Sequence, residues 1–465
     1  MMQTDDTICA LSTPQGMGAI AVIRVSGPAT FPVLERFFRP AGQRHALATA
    51  KPYTLIYGTL YEQEERVDEV MIGVYRAPKS YTGQDVAEIS CHGSVYIQER
   101  IVRMLLSAGV RMAEPGEYTL RAFFNGKMDL SQAEGVADLI ASESEAAHRV
   151  AYQQMRGGIS EEIRGLREEL IQFASLVELE LDFTEEDVEF ADKAQLTELV
   201  AKIQRVVQRL LESYGTGNVI KNGVPVAIVG APNAGKSTLL NALVQEERAI
   251  VTEVAGTTRD AIEDEVNLGG VKFRFIDTAG IRETEDVVEK IGIRKTYEKI
   301  SQSRVVLYLF DAGRLQENAP LVREEIAALR AKVAGQKLLL LANKIDQAQR
   351  EEVDRLLANP EELLYLSALE GEGLEALIEA LQASVNLSAL ESNQNIVTSA
   401  RHYEALRQSQ EDLARVAEGL AEGRSGDLLA LDIREALRHL GAIIGEVDVD
   451  RDILGAIFGK FCIGK

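Results

Sequence analysis

Apolar residues recur along this chain with more than one period, and the change of period divides it into regions. Leu196, Leu199, Val200, Ile203, Val206, Val207, Leu210 and Leu211 follow the i, i+3, i+4, i+7 spacing of one face of an amphipathic helix. Ile163, Leu166, Leu170 and Val177 carry the same style upstream. It returns in Tyr403, Leu406, Leu413, Val416 and Leu420, and again in Ile433, Leu437, Leu440 and Ile444. Between these helical stretches lie short, nearly continuous apolar runs: Val224 to Val229, Val271 to Ile276, Val305 to Phe310, Lys337 to Ala342 and Leu363 to Leu366. Together with a helix from Ser237 through Val244, they predict the buried strands of an open α/β sheet. Helices on both flanks predict one bundle interrupted by an inserted domain. Residues 1 to about 125 differ again: Gly16, Gly18, Gly27, Gly83, Gly93 and Gly116 punctuate runs such as Ile20 to Val25 and Val70 to Tyr75, which predicts an α+β domain.

Composition narrows the class. A chain of 465 residues has room for about three domains, and 46% hydrophobic with 26% charged residues is ordinary for a soluble globular protein. No apolar run approaches the ~18 residues that span a bilayer, so no membrane partner is expected. The start, Met1-Met2-Gln3-Thr4-Asp5-Asp6, lacks the basic and apolar regions of a signal peptide, and a cytoplasmic location is expected. Cys9, Cys91 and Cys462 neither make a disulfide scaffold nor show zinc spacing. The net charge of −22 argues against indiscriminate nucleic-acid binding, so a nucleic-acid partner would need a local basic surface. The acidic stretch Glu185-Glu186-Asp187-Val188-Glu189 reads as a solvated loop.

Candidate chemistry enters at Gly230-Ala231-Pro232-Asn233-Ala234-Gly235-Lys236-Ser237, which fits the G-x-x-x-x-G-K-[ST] phosphate-binding loop between a strand and a helix. Its glycines let backbone N–H groups close around phosphates at a helix N-terminus. Lys236 reaches the terminal phosphates, the Ser237 hydroxyl ligates Mg²⁺, and Thr238 follows in the same turn. Downstream, a strand delivers Asp277-Thr278-Ala279-Gly280, where the aspartate can hold a Mg²⁺ water and the glycine amide can meet the γ-phosphate. Asn343-Lys344-Ile345-Asp346 resembles the N-K-x-D element of GTPases. Its carboxylate accepts from guanine N1–H and the exocyclic amine, a donor pair adenine lacks. Ser367-Ala368-Leu369 resembles the element whose amide meets guanine O6. Four motifs in this order predict a GTPase. After D-T-A-G, however, Ile281 stands where Ras-type domains carry the glutamine that orients water, so another group must do so. No arginine is fixed as a finger; Arg282 reads as a solvated switch residue.

The phosphate loop, the segment Thr252-Glu253-Val254-Ala255-Gly256-Thr257-Thr258-Arg259-Asp260 and the terminal Phe461-Cys462-Ile463-Gly464-Lys465 together resemble the MnmE (TrmE) family of bacterial tRNA-modification GTPases. The resemblance covers essentially the whole chain. It implies a multidomain fold: an α+β N-terminal domain of folate-binding type over 1–125, a helical bundle from 126–220 and 384–465, and an inserted α/β P-loop GTPase (Ras-like) domain over 221–383. It implies a K⁺ ion held by Asn233, Thr252, Val254 and Thr257 where an arginine finger would lie. A cation there can neutralise charge developing in a loose phosphoryl-transfer transition state.

By the same resemblance Thr258 completes the Mg²⁺ shell with Ser237, and Glu289, twelve residues beyond Asp277, positions the attacking water. On its own residues Glu289 is one acid on a charged helix start beside Glu283, Glu285 and Asp286. Contacts to a 5-formyl-tetrahydrofolate or related reduced folate fall on Arg24, Glu88, Lys127 and Lys465. A pterin presents donors suited to a carboxylate, and a glutamyl tail carries carboxylates suited to Arg and Lys. Cys462 would lie near that folate, although a lone cysteine is commonly a small buried hydrophobe. The implied partners are a second copy of the chain, tRNA, and the FAD-containing MnmG (GidA) subunit in a heterotetramer or larger complex. The implied reaction adds a carboxymethylaminomethyl or aminomethyl group to C5 of the wobble uridine. A regulatory GTPase of the ribosome-assembly type is the alternative, separable by folate binding. A dynamin-like structural role is disfavoured because no basic amphipathic membrane helix is evident.

Overall fold

The computed structural model describes residues 5–42, 47–182, 193–250, 264–276, 300–333, 335–358, 363–385, 395–446 and 464. Two compact units are formed, one from 1–140, 153–203 and 408–465, the other from 141–152 and 204–407.

The first unit holds β1 (Ile8–Leu11), β2 (Ile20–Ser26), α1 (Thr30–Phe37), β3 (Phe38–Pro40), β4 (Thr54–Glu62), β5 (Glu65–Tyr75), β6 (Val86–His92), α2 (Val95–Ser107), β7 (Arg111–Met112), α3 (Glu117–Phe124) and α4 (Leu130–Ala141). The strands make one sheet in the order β3-β4-β5-β6-β2-β1-β7, antiparallel except where β1 meets β7. Alternation sets its register. Ile56, Ile72, Ile89 and Ile23 stand in one row across four strands, all buried against α1 and α2. A slip of one residue would turn every one of them outward. The adjacent row, Leu55, Gly73, Glu88 and Arg24, therefore lies on the other face.

Helices follow in α5 (Glu145–Met155), α6 (Gly158–Asp182) and α7 (Lys193–Asn222). The apolar stripes predict which faces are buried: Ile163, Leu166 and Leu170 on α6, and Leu196, Val200, Ile203, Val207 and Leu210 on α7 are all inside.

In the second unit, β8 (Val224–Val229), α8 (Lys236–Ile250), β9 (Asp264–Leu268), β10 (Val271–Phe275), β11 (Val305–Asp311), α9 (Leu315–Lys332), β12 (Lys337–Asn343), α10 (Arg350–Leu357), β13 (Leu363–Tyr365) and α11 (Leu374–Ala383) form an α/β domain. Its sheet order is β13-β12-β11-β8-β10-β9, parallel apart from β9. The continuous apolar runs have a direct cause, since both sheet faces are covered. Val305, Leu307 and Leu309 of β11 enter one core, and Val306, Tyr308 and Phe310 enter the opposite one. Helix α8 starts one residue before the expected Ser237 and continues beyond Val244 to Ile250.

The chain then returns to the first unit through α12 (Ala400–Glu422) and α13 (Gly426–Ile444). Helix α13 packs against α6, where Arg167 Nε donates to the Leu437 carbonyl at 3.3 Å. Helix α6 before the inserted domain and helix α13 after it thus pack together. Among the described residues no helix is long and apolar enough to cross a membrane.

Candidate functional site

The phosphate loop leaves β8 at Gly230 and enters α8 at Lys236, as the strand-to-helix context predicts. Two of its glycines are forced. A Cβ on Gly230 (φ 150°) would lie 2.0 Å from the Leu309 carbonyl oxygen, and one on Gly235 (φ 102°) would lie 2.2 Å from Asn343 Nδ2. Asn233 stands exposed at φ 62°, a left-handed conformation that asparagine tolerates. Lys236 Nζ lies over the loop and donates to the carbonyls of Gly230 and Ala231 at 2.7 and 2.9 Å. Ser237 and Thr238 occupy the first turn of α8, whose N–H groups have no intrahelical acceptor and favour an anion. The Ser237 hydroxyl and the Asn233 side-chain amide each carry a neutral oxygen of the kind that hard cations accept.

The base-recognition elements gather at the ends of β12 and β13. Asn343, buried at the last position of β12, donates through Nδ2 to the Ala234 carbonyl at 2.7 Å and accepts through Oδ1 from the Ala368 N–H at 3.0 Å. One side chain thereby ties the phosphate loop to the Ser367-Ala368-Leu369 loop. Lys344 takes a left-handed conformation (φ 63°) and pairs with Asp311 at 2.6 Å. Asp346 sits in the short 3₁₀ turn Ile345–Gln347, and a hydrogen bond from the Ser367 side chain leads in holding its carboxyl below the ordinary aspartate range. Ser367 is buried and donates its N–H to the Glu372 carbonyl at 2.9 Å, while Leu369 is 78% exposed. Asp311 is the functional partner that sequence reasoning missed. Its only signal is an acid closing the apolar run of β11, and nothing local announces a lysine 33 residues later.

Among the expected residues of the nucleotide site, Asn233, Ala234, Gly235, Lys236, Ser237, Thr238, Asn343, Lys344, Asp346, Ser367, Ala368 and Leu369 are described. Thr252, Val254, Thr257, Thr258, Asp277, Thr278, Ala279, Gly280 and Glu289 lie outside the described residues, as do Cys462 and Lys465.

In the first unit, Arg24 and Glu88 are direct cross-strand partners on β2 and β6 and form a two-pronged ion pair, Nη2 to Oε1 at 2.7 Å and Nε to the same oxygen at 3.0 Å. Tyr75 Oη donates to Glu88 Oε2 at 3.3 Å, and Tyr118 Oη donates to the Arg24 carbonyl at 2.8 Å. The Arg24 guanidinium faces the rings of Tyr81 and Tyr118 at 5.8 and 5.5 Å and donates to the Gly464 carbonyl at 3.3 Å. These tyrosines were not singled out in the sequence, because partners gathered from four separate elements leave no spacing to read. Lys127 is elsewhere engaged, its Nζ donating to the Pro78 carbonyl at 3.0 Å. Bonded to each other, the Arg24 and Glu88 side chains lie at one place on this sheet face. Cys9 and Cys91 are free and buried, and burial pushes their thiols up to about 12 and about 11, which makes them inert.

Comparison with known proteins identifies the family of the chain. Residues 7–127 match the family described as GTP-binding protein TrmE N-terminus, and residues 130–462 match the MnmE helical domain. The tRNA modification GTPase MnmE of Christiangramia forsetii is 56% identical over 476 residues, covering 100% of both chains. That of Flavobacterium johnsoniae is 53% identical over 468 residues, again covering 100% of both. Among solved structures, the FeoB G domain of Methanococcus jannaschii is 27% identical, covers 34% of this chain and 96% of its own, and has a TM-score of 0.25. Matched from end to end by full-length relatives more than half identical to it, the chain belongs to the MnmE (TrmE) family of tRNA modification GTPases.

Proposed function

We propose that this chain hydrolyses GTP in a K⁺-dependent manner and couples that hydrolysis to modification of tRNA at C5 of the wobble uridine. The observation that carries the GTP half is the Ala234–Asn343–Ala368 chain of hydrogen bonds, which sets a phosphate loop and two guanine-recognition loops in one frame. Ser237 and Thr258 would hold Mg²⁺, and Asn233, Thr252, Val254 and Thr257 would hold K⁺. These ions supply positive charge beside the phosphates. Lys236 binds the terminal phosphates, and Glu289 orients the water that adds to the γ-phosphorus as the bond to the bridging oxygen breaks. Asp346 and a backbone amide of the Ser367-Ala368-Leu369 loop select guanine. A two-fold association of G domains would order the loop that shares the K⁺.

The modification half is supported by membership of the family. The domain boundaries we assign are 1–125, 126–220 with 384–465, and 221–383. The N-terminal domain pairs with its copy in a homodimer and takes 5-formyl-tetrahydrofolate or a related reduced folate through Arg24, Glu88, Lys127 and Lys465, with Cys462 near the folate site. An FAD-containing MnmG-type subunit supplies redox chemistry for which this chain shows no dinucleotide fingerprint, in a heterotetramer or larger complex acting on tRNA in the cytoplasm.

Calorimetry with 5-formyl-tetrahydrofolate tests the one-carbon assignment. Arg24→Ala leaves Glu88 without its cation and is expected to weaken binding ten- to a hundredfold, the order of a lost charged hydrogen bond. Absence of binding at millimolar folate would favour a regulatory GTPase of the ribosome-assembly type instead.

A further inference from the structure

Where the start of β8 lies beside β10, the last turn of α7 and one sheet face border a cavity of about 460 Å³, lined by Asn218, Lys221, Asn222, Glu265, Lys272 and Arg274 among others. The strand pattern produces it. Val271, Phe273 and Phe275 of β10 fill the core, so Lys272 and Arg274 stand side by side on the opposite face. Arg274 is level with Pro225 on β8 and with Glu265 on β9. Gly223, at φ 83°, turns the chain directly over both cationic stems. Lys272 is shared between Glu143 at 3.0 Å and Glu265 at 2.9 Å and serves as a wall. Lys221 is exposed on the rim, and Asn222 Nδ2 donates to Asn218 Oδ1 at 2.6 Å across one turn of α7.

In a chain of net charge −22, cations grouped around a cavity of ligand size mark a place where an anion is welcome. The cavity is not the nucleotide site. Gly230 lies five residues along β8 from Pro225, roughly 16 Å at ~3.3 Å per residue, so both sites can be filled at once.

We propose that this cavity binds one nucleotide of an RNA strand, its phosphodiester on Lys221 and Arg274 and its sugar or base edge on the Asn218–Asn222 amides. The inference rests on the tRNA assignment above and names where the backbone is held. Its wall, β10, leads in sequence to Asp277, which places RNA occupancy on the strand that feeds the γ-phosphate motif.

The test uses the full chain saturated with GDP, a fluorescent anticodon stem-loop RNA, and free uridine 5′-monophosphate in a parallel titration. Lys221→Ala and the double variant Lys221→Ala/Arg274→Met are compared with wild type, with thermal melting as the fold check and Arg355→Ala as an exposed-charge control. We expect the double variant to bind the RNA at least tenfold more weakly and its logarithmic salt slope to fall by roughly 0.7 to 0.9, as loss of one neutralised phosphate requires. Lys221→Ala alone, on an exposed rim, should give about half that slope change even if the double variant folds poorly. RNA binding with unchanged affinity and slope in both variants overturns the cavity while leaving the tRNA assignment standing. No RNA binding by wild type overturns both. Variant-sensitive binding of free uridine monophosphate without RNA binding overturns the RNA assignment in favour of a free nucleotide.

Discussion

Asn343 and Ala234 are joined by a buried hydrogen bond of 2.7 Å from a side-chain amide to the main-chain carbonyl beside the phosphate-loop lysine. Because the same side chain accepts from the Ala368 N–H, phosphate recognition and base recognition are mechanically one unit. Asn343→Ala leaves a buried carbonyl and a buried N–H without partners, a loss of about 1 to 3 kcal/mol. We expect GDP affinity to fall roughly ten- to a hundredfold and the melting temperature to drop. Calorimetry with GDP, alongside a thermal melt, checks both. Full retention of affinity would disconnect the two loops.

Asp346 should decide the base. A carboxylate placed for two guanine donors is left unpaired by adenine, so discrimination of about 10⁴ is expected, and Asp346→Ala should abolish most of it. Led by the Ser367 hydrogen bond, its carboxyl titrates below the usual aspartate range. The acceptor is therefore present above that range and is lost only as pH falls through the lowered value. GTP preference measured by competition should be flat from about pH 8 down to pH 5. A preference that declines within that window contradicts the assignment.

Much of this frame is legible in the sequence. The apolar run Val224 to Val229 is β8 residue for residue, and the phosphate loop sits between it and α8 as its motif requires. Stripes such as Leu196, Val200 and Ile203 are buried because a 3.6-residue period has one answer in a bundle. What stayed hidden is long-range partnership between polar residues. Asp311 with Lys344, Arg24 with Tyr118, and Arg121 with Asp6 each join residues far apart in the sequence, which leaves no period and no spacing to count.

Arg121 illustrates the energetic weight of such a contact. It is a fully buried guanidinium, bonded to Glu117 at 2.8 Å, to Asp6, and to Gln84 at 3.1 Å. Burial works to raise the Glu117 carboxyl, but bonds from Arg111, the Glu114 N–H and Arg121 outweigh it and hold the group below its ordinary value. A carboxyl depressed in the folded state contributes stability above its unfolded pKa, about 4.3, and loses it as pH falls through the folded value. Denaturant unfolding should show this contribution constant from pH 8 to 5 and fading below about pH 4. Arg121→Met removes one of the two cations on Glu117 while Arg111 and the Glu114 N–H stay bonded to it, and should cost about 1 to 3 kcal/mol at pH 7, with part of that penalty gone at pH 3. An equal cost at both values would locate the effect in packing.

Asn233 carries the cation prediction. With Ile281 where a water-orienting glutamine would stand, turnover should depend on a monovalent ion that Asn233 helps to hold. We expect at least a tenfold advantage of KCl over NaCl at matched ionic strength, or about 1.4 kcal/mol of barrier. Asn233→Ala should lose that advantage while retaining much of its GDP affinity. Equal turnover in the two salts removes K⁺ from the account.

The central claim, that GTP hydrolysis by this chain serves modification of tRNA, is tested most directly by mass spectrometry of wobble uridines from cells lacking the protein. The C5 substituent should disappear from the affected tRNAs, return with the wild-type chain, and fail to return with Lys236→Ala, which cannot bind the terminal phosphates. Wobble uridines that keep their C5 substituent in the deleted strain, or regain it fully with Lys236→Ala, would contradict it.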